Sequence, residues 1–85
     1  MNPRVKSVKA KENYLLEIQF TNKTHRIFDV KRYLNFGIFK ELKNTEYFRK
    51  VNRSGNSIAW PHGQDICPDT LFIESKLLKT KSNGP

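Results

Sequence analysis

The sequence predicts a small α+β domain: an antiparallel sheet, built from a three-strand meander and a C-terminal hairpin, with short helices packed on one face. Three observations indicate this class. Every second residue from 14 to 20 is apolar with Glu17 and Gln19 between them, turn-forming residues separate the apolar segments, and apolar residues at helical spacing occur only in short stretches. Helices this short are unstable alone and have to pack on the sheet.

The meander is expected to begin with a short edge strand over residues 4–9, whose lysines discourage further pairing. The second strand has the clearest pattern, because every second residue is apolar and should face the core. These core-facing residues are Tyr14, Leu16, Ile18 and Phe20. A turn over residues 21–23 returns the chain into a third strand over residues 25–29.

Three short helical turns are expected between residues 29 and 48. Asp29 should cap the first and Asn44 or Thr45 the third, because side-chain oxygens there accept hydrogen bonds from free backbone N–H groups. Gly37 redirects the chain after the first turn. The apolar faces consist of Val30, Tyr33 and Leu34, then Phe36, Phe39 and Leu42, and finally Tyr47 and Phe48.

A second hairpin is predicted from residues 50–52 and 57–60, joined by a glycine-containing loop. A last helix is expected over residues 68–78. Pro68 suits its first position, where the missing N–H costs nothing, and Asp69 meets the positive helix end. The whole domain would span residues 1–78, followed by a polar, disordered tail over residues 79–85.

Composition and charge limit the function classes. The chain has 85 residues, so its core is thin and a large active-site cleft is not expected. Sixteen Lys and Arg against eight Asp and Glu give a net charge of +8, which attracts polyanions or acidic protein surfaces. Because these charges are spread along the sequence, they favour a solubilising surface with weak, sequence-independent nucleic-acid binding.

The single cysteine and the lack of an apolar signal segment or a long apolar run lead us to expect a cytoplasmic protein without a membrane span. His62 and Cys67 could form a nucleophilic pair oriented by Asp65 or Asp69. We favour the alternative, a surface histidine and a small buried cysteine. The histidines, cysteine and carboxylates also lack the spacing of a metal site, so no metal, cofactor or catalysis is expected.

The turn 60–65 is the expected partner surface, because packing does not obviously require its polar groups and loops on rigid scaffolds often carry function. Trp60 either closes the core or anchors the interface. The candidate residues are Trp60, Pro61, His62 and Asp65, with Arg26, Lys31 and Arg32 as flanking charges. Basic residues beside Phe28 and Tyr33 could instead bind nucleic acid by stacking, although core packing of both rings is favoured.

A set of short motifs, in fixed order, runs through nearly the whole chain. They are Tyr14-Leu15-Leu16 to Phe20, Phe28-Asp29-Val30, Tyr33-Leu34, Gly37 with Phe39 and Leu42, Ile58-Ala59-Trp60-Pro61 and Asp65-Ile66-Cys67-Pro68-Asp69. In these motifs the chain resembles the small bacterial family filed as domain of unknown function 2442. It differs at Asn22-Lys23, where such families favour Asn-Gly or Asp-Gly, and it ends without the helix-turn-helix domain of some longer relatives.

The resemblance implies this fold, and it implies a role beside toxin-antitoxin or regulatory partners. We therefore expect a non-catalytic binding module, antitoxin-like or an adaptor, that docks on a partner protein such as a toxin or a larger complex. The alternative is a basic nucleic-acid-binding or regulatory-complex subunit, which charge alone supports. An enzyme using the Cys-His pair is the third hypothesis.

Overall fold

The computed structural model describes residues 3–78, so the tail predicted over residues 79–85 lies outside the described residues. Seven strands follow one another in this part of the chain: β1 (Val5–Lys11), β2 (Leu15–Phe20), β3 (His25–Asp29), β4 (Asn52–Ser54), β5 (Ser57–Ala59), β6 (Asp65–Ile66) and β7 (Lys76–Leu77). The helices are α1 (Thr45–Phe48) and α2 (Pro68–Glu74). Three 3₁₀ segments occupy Glu12–Tyr14, Lys31–Tyr33 and Gly37–Lys43.

The strands form two antiparallel sheets, one ordered β1-β2-β3-β7 and one ordered β4-β5-β6. This arrangement, with its few short helices, confirms the predicted α+β class. One cluster of buried apolar side chains draws on both sheets and both helices. Aromatic rings join these elements edge to face, with 5.3 Å between the ring centres of Tyr14 and Phe48 and 5.2 Å between those of Phe20 and Phe72.

The alternation of β2 confirms the predicted core face, because Leu16, Ile18 and Phe20 are fully buried. Tyr14 differs, since it lies in the 3₁₀ segment before the strand with a positive φ of 60°. Its ring still packs against the core, and its hydroxyl donates a hydrogen bond to the Lys43 carbonyl at 2.5 Å.

The opposite face of the four-stranded sheet is largely polar, with Leu15 and Ile27 as apolar members. Antiparallel pairing places residues that face each other across two strands on the same side of a sheet. Lys9 therefore lies beside Glu17, and Lys11 beside Leu15, on the face that points away from the core. Both lysines are exposed, which leaves this side of β1 open to solvent.

The turn between β2 and β3 explains how the chain manages without glycine there. Lys23 adopts a positive φ of 70°. The side-chain oxygen of Asn22 accepts hydrogen bonds from the Thr24 N–H at 3.1 Å and the Thr24 hydroxyl at 2.6 Å. Asparagine side chains typically stabilise turns by such hydrogen bonds to the backbone two residues on.

The predicted helical turns between residues 29 and 48 are present, mostly as 3₁₀ segments. The Asp29 carboxylate accepts the Lys31 N–H at 2.9 Å, and Asn44 caps α1 by accepting from the N–H groups of Glu46 and Tyr47 at 3.0 and 3.3 Å. The second apolar face is only partly as expected. Leu42 is buried, whereas Phe36 is 64% exposed.

The C-terminal region contains two strands that the sequence did not predict. β6 joins the second hairpin as a third strand, and the helix prediction over residues 68–78 is wrong in its last part because α2 ends at Glu74. Ser75 adopts extended angles, φ −80° and ψ 160°, so that β7 pairs with the edge of β3. Pairing satisfies backbone groups that an open edge would leave exposed.

Neither helix within residues 3–78 has the length and apolar character needed to cross a bilayer.

Candidate functional site: the turn 60–65

Trp60 is a core residue. Its side chain is 2% exposed, its indole N–H donates to the Phe48 carbonyl at 2.9 Å, and its ring lies 6.1 Å from that of Phe48. Of the two roles considered for Trp60, the structure therefore shows closure of the core. An exposed interface anchor at this position is ruled out by its burial.

The backbone of the turn is fixed by two hydrogen bonds. The Trp60 N–H donates to the Gln64 carbonyl at 2.9 Å, and the Gly63 N–H donates to the Trp60 carbonyl at 3.0 Å. Gly63 has a φ of 101°, in a region that side-chain-bearing residues rarely adopt. The tight reversal thus requires glycine at this position.

Gln64 is the centre of a polar network. Its side chain is 1% exposed. The amide nitrogen donates to the Ile38 carbonyl and to the Glu41 carboxylate, both at 2.9 Å, while its oxygen accepts from the Tyr47 hydroxyl at 2.6 Å. Both N–H groups and the oxygen of the buried amide thus have hydrogen-bond partners, which offsets the cost of removing them from water. The same three bonds connect the turn to the Gly37–Lys43 segment and to α1.

His62 extends the same network to the surface. Its backbone N–H donates to the Tyr47 hydroxyl at 2.8 Å, its ring stacks on the Tyr47 ring with 4.9 Å between centres, and its Nδ1 lies 2.6 Å from the Glu41 carboxylate. The hydrogen bond from Gln64 is the main reason that the pKa of Glu41 is lowered. Desolvation opposes this effect, and the hydrogen bond and charge of His62 add to it.

Residues 5–76, which include the whole turn and its network, match the family described as protein of unknown function (DUF2442). The chain belongs to this family. No curated protein and no solved structure matches the chain. Membership of DUF2442 confirms the resemblance read from the sequence motifs, and it assigns no activity to the turn.

In this DUF2442 protein the three predicted flanking charges have partners outside the turn. Arg26 lies 4.0 Å above the centre of the Phe72 ring, a cation–π contact. Lys31 is 3.2 Å from the Asp29 carboxylate and donates to the Asn13 carbonyl at 2.9 Å. Arg32 is 3.3 Å from the Glu74 carboxylate. Arg26 and Arg32 thus connect α2 to β3 and to the 3₁₀ segment after it, and Lys31 connects that segment to the β1–β2 connection.

The two residues of the candidate nucleophilic pair, His62 and Cys67, lie in different surroundings. His62 lies in the turn and contacts Glu41 and Tyr47, whereas Cys67 lies beyond β6 and lines a different depression with Ser57. The prediction that Cys67 is buried is wrong: its side chain is exposed. Strand alternation explains this, because the preceding Ile66 points into the core.

Asp65 lies in β6 opposite Ala59 and is exposed. Within residues 3–78, no three His, Cys, Asp or Glu side chains are grouped closely enough to hold a metal ion.

The feature that sequence reasoning missed is the exposed apolar pair on either side of Gly37. Phe36 is 64% and Ile38 is 63% exposed, although Phe39 and Leu42 in the same segment pack toward the core. We call residues 36–38 the 36–38 surface. The available signal was Gly37 itself, whose positive φ of 47° changes the direction of the chain between Phe36 and the residues that follow.

Proposed function

We propose that the chain is a non-catalytic binding module, antitoxin-like or an adaptor, that docks on a partner protein through the 36–38 surface. The observation that carries this proposal is the exposure of Phe36 and Ile38, two large apolar side chains in three residues. Adjacent exposed apolar groups on a small domain mark interaction sites, and apolar or aromatic anchors dominate the energy of protein interfaces.

The 36–38 surface is held in place before any partner binds. The Phe39 N–H donates to the Phe36 carbonyl at 2.9 Å, and the Ile38 carbonyl accepts from the buried Gln64 amide at 2.9 Å. A surface whose backbone is already fixed loses less conformational entropy on association. This preorganisation supports a docking role.

The turn 60–65 supplies a polar rim for the same interface. Gln64 of this turn binds the Ile38 carbonyl, and Pro61 and His62 of the same turn are exposed. Apolar centres with polar rims are typical of protein interfaces. We accordingly retain Pro61 and His62 as interface candidates and exclude Trp60, because its ring is buried.

We also propose a cytoplasmic location. The exposed Cys67 is the only cysteine in the chain, and a solvent-accessible single thiol persists most easily in a reducing compartment.

The test is quantitative affinity capture with the tagged chain from native extract, comparing the wild type with the double variant Phe36→Ser/Ile38→Ser. Ile73→Ser is the matched control, because Ile73 on α2 is also a large apolar side chain, 70% exposed. We expect a specific partner to be recovered by the wild type and the control and lost by the double variant.

A partner retained equally by the double variant would exclude the 36–38 surface, and a wild type that captures no protein would contradict the docking role itself. Once the partner is purified, Phe36→Ser should weaken its binding by about 2 kcal/mol or more, the loss typical of a central anchor.

A further inference from the structure

We propose that a basic strip along β1 binds the phosphate backbone of duplex nucleic acid without reading its sequence. This is a second ligand class on a different surface from residues 36–38. The strip consists of Arg4, Lys6, Lys9, Lys11, Arg49 and Arg53, all of which are exposed.

Folding gathers these charges from distant parts of the sequence. The Val5 N–H donates to the Asn56 carbonyl at 3.0 Å, which brings the β4–β5 hairpin against the start of β1. Arg4, Lys6 and Arg53 consequently line one depression of about 310 Å³. At the other end of β1, Lys11 and Arg49 line a second depression of about 450 Å³. Charges that appear scattered in the sequence are thereby gathered at the two ends of β1.

The strip keeps most of its positive charge. Within residues 3–78, Lys11 is its only member in an ion pair, 3.5 Å from Glu17, and the side chains of Lys6 and Lys9 make no hydrogen bond. Glu17 lies beside Lys9 on the sheet, Glu12 lines the same depression as Lys11, and Glu46 precedes Arg49 by three residues along α1. Six cations against three carboxylates leave a surface that attracts polyanions.

The shape of the strip suits a phosphate backbone. A strand of this length extends over roughly 20 Å, and Lys9 and Lys11 point to one side about 6.6 Å apart. Duplex DNA presents roughly one negative charge per 1.7 Å of its axis. A row of cations can therefore contact successive phosphates along one groove edge.

The composition of the strip favours duplex nucleic acid over other polyanions, because the strip contains no large exposed apolar side chain. The large exposed apolar side chains among the described residues lie at positions 36, 38, 73, 77 and 78, and none belongs to the strip. A protein interface would need such an anchor, and single-stranded nucleic acid would need exposed rings for stacking. Backbone contact with a duplex needs only cations.

The experiment measures the affinity of the chain for two labelled duplexes of unrelated sequence over about 50 to 200 mM salt. The test variant is Lys6→Gln/Lys9→Gln. The control is Lys40→Gln/Lys76→Gln, which removes the same charge from two exposed lysines, one on the Gly37–Lys43 segment and one on β7 at the far edge of the sheet. Sodium polyglutamate serves as a competing acidic polypeptide.

We expect both duplexes to bind alike and Lys6→Gln/Lys9→Gln to bind at least about tenfold more weakly, with a logarithmic salt slope about 1.8 smaller, since each phosphate contact contributes about 0.9. The control should keep the wild-type slope. Equal slope losses in both variants, or no binding at the lowest salt, would overturn the proposal. Strong discrimination between the two duplexes would contradict backbone recognition. If polyglutamate competed for the strip as well as the duplex itself does, the strip would be assigned to an acidic protein.

Discussion

The turn 60–65 and the 36–38 surface touch through a hydrogen bond from Gln64 to the Ile38 carbonyl, yet they use their side chains in opposite ways. The turn contains tryptophan, histidine and glutamine, residue types that often mark a functional site. It uses Trp60 and Gln64 inside the fold, with 2% and 1% exposure. The 36–38 surface contains phenylalanine and isoleucine, which ordinarily build cores, and exposes both.

This difference teaches that residue type alone does not separate packing from function in a domain with a thin core. Burial of a tryptophan ring contributes more to a small domain than an amide or a methyl group does. Conversely, an apolar side chain left in solvent on a rigid backbone makes no contribution to the core. The decisive observation is which groups already have partners within the fold.

The strongest test of the comparison is Trp60→Ala. Removing a buried ring and its hydrogen bond to Phe48 should lower the free energy of unfolding by about 3 to 5 kcal/mol, out of a total of about 4 to 13 kcal/mol for a domain of this size. Urea denaturation monitored by circular dichroism measures this loss. Trp60→Phe, which keeps most of the volume, should lose less. A loss below about 0.5 kcal/mol for Trp60→Ala would place the ring in solvent.

The next effect concerns the polar network. Tyr47→Phe removes the hydroxyl that binds both the Gln64 side chain and the His62 N–H. Because the Gln64 oxygen is then buried without a partner, we expect a loss of about 1 to 3 kcal/mol in the same denaturation experiment. Tyr33→Phe is the matched control, since the Tyr33 hydroxyl donates at 2.7 Å to an exposed partner, Glu74. Equal losses in the two variants would show that the network adds nothing beyond an exposed bond.

A smaller effect should appear in the pH dependence of stability. The pKa of Glu41 in the folded protein is below its ordinary value of 4.5. Its carboxylate therefore stabilises the fold fully above that pH, and this contribution is lost as the pH falls through the folded-state pKa. We expect the stability difference between wild type and Glu41→Gln to be largest near neutral pH and to shrink below about pH 4.5.

Denaturation at a series of pH values measures this difference, and a difference that stays constant with pH would contradict the role assigned to Glu41. Asp29→Asn is a useful comparison. Burial tends to raise the pKa of Asp29, but the hydrogen bonds and charge of Lys31, with the charge of Arg32, lower it overall. The pH-dependent stability difference caused by Asp29→Asn should therefore remain when that substitution is made in the Glu41→Gln variant.

The smallest expected effect is at the 36–38 surface. Phe36→Ser should change the free energy of unfolding by no more than about 0.5 kcal/mol, because the side chain is mostly in solvent. Leu42→Ala, in the adjoining 3₁₀ segment but fully buried, should cost about 2 to 5 kcal/mol. Thermal or urea melts compare the two directly. A large loss for Phe36→Ser would assign its ring to the core.

The parts of the fold that were predictable have long, regular patterns. β2 could be read because several alternating residues agree, and the α1 cap could be read because Asn44 has a specific hydrogen-bonding role. β6 and β7 could not, because two-residue strands contain no period and form only where another strand offers an edge.

The site was less predictable for a related reason. Its hydrogen bonds link residues far apart in the sequence, such as Gln64 with Ile38 and His62 with Glu41, and single-sequence patterns do not encode such pairings. The same limitation hid the basic strip, in which Arg53 joins Arg4 only after the two sheets assemble. Periodicity predicts elements, whereas these surfaces depend on how the elements are brought together.

The pairing of β7 with β3 also sets an order of events during synthesis. Ile27 leaves the ribosome long before its partner Lys76, and translation at roughly 5 to 20 residues per second separates the two by roughly 2 to 10 s. Throughout that interval the edge of β3 offers unpaired backbone groups to any passing strand. When β7 emerges, it pairs with Arg26 and Ile27 and takes over the edge of the sheet as a strand of only two residues, which offers far fewer free backbone groups.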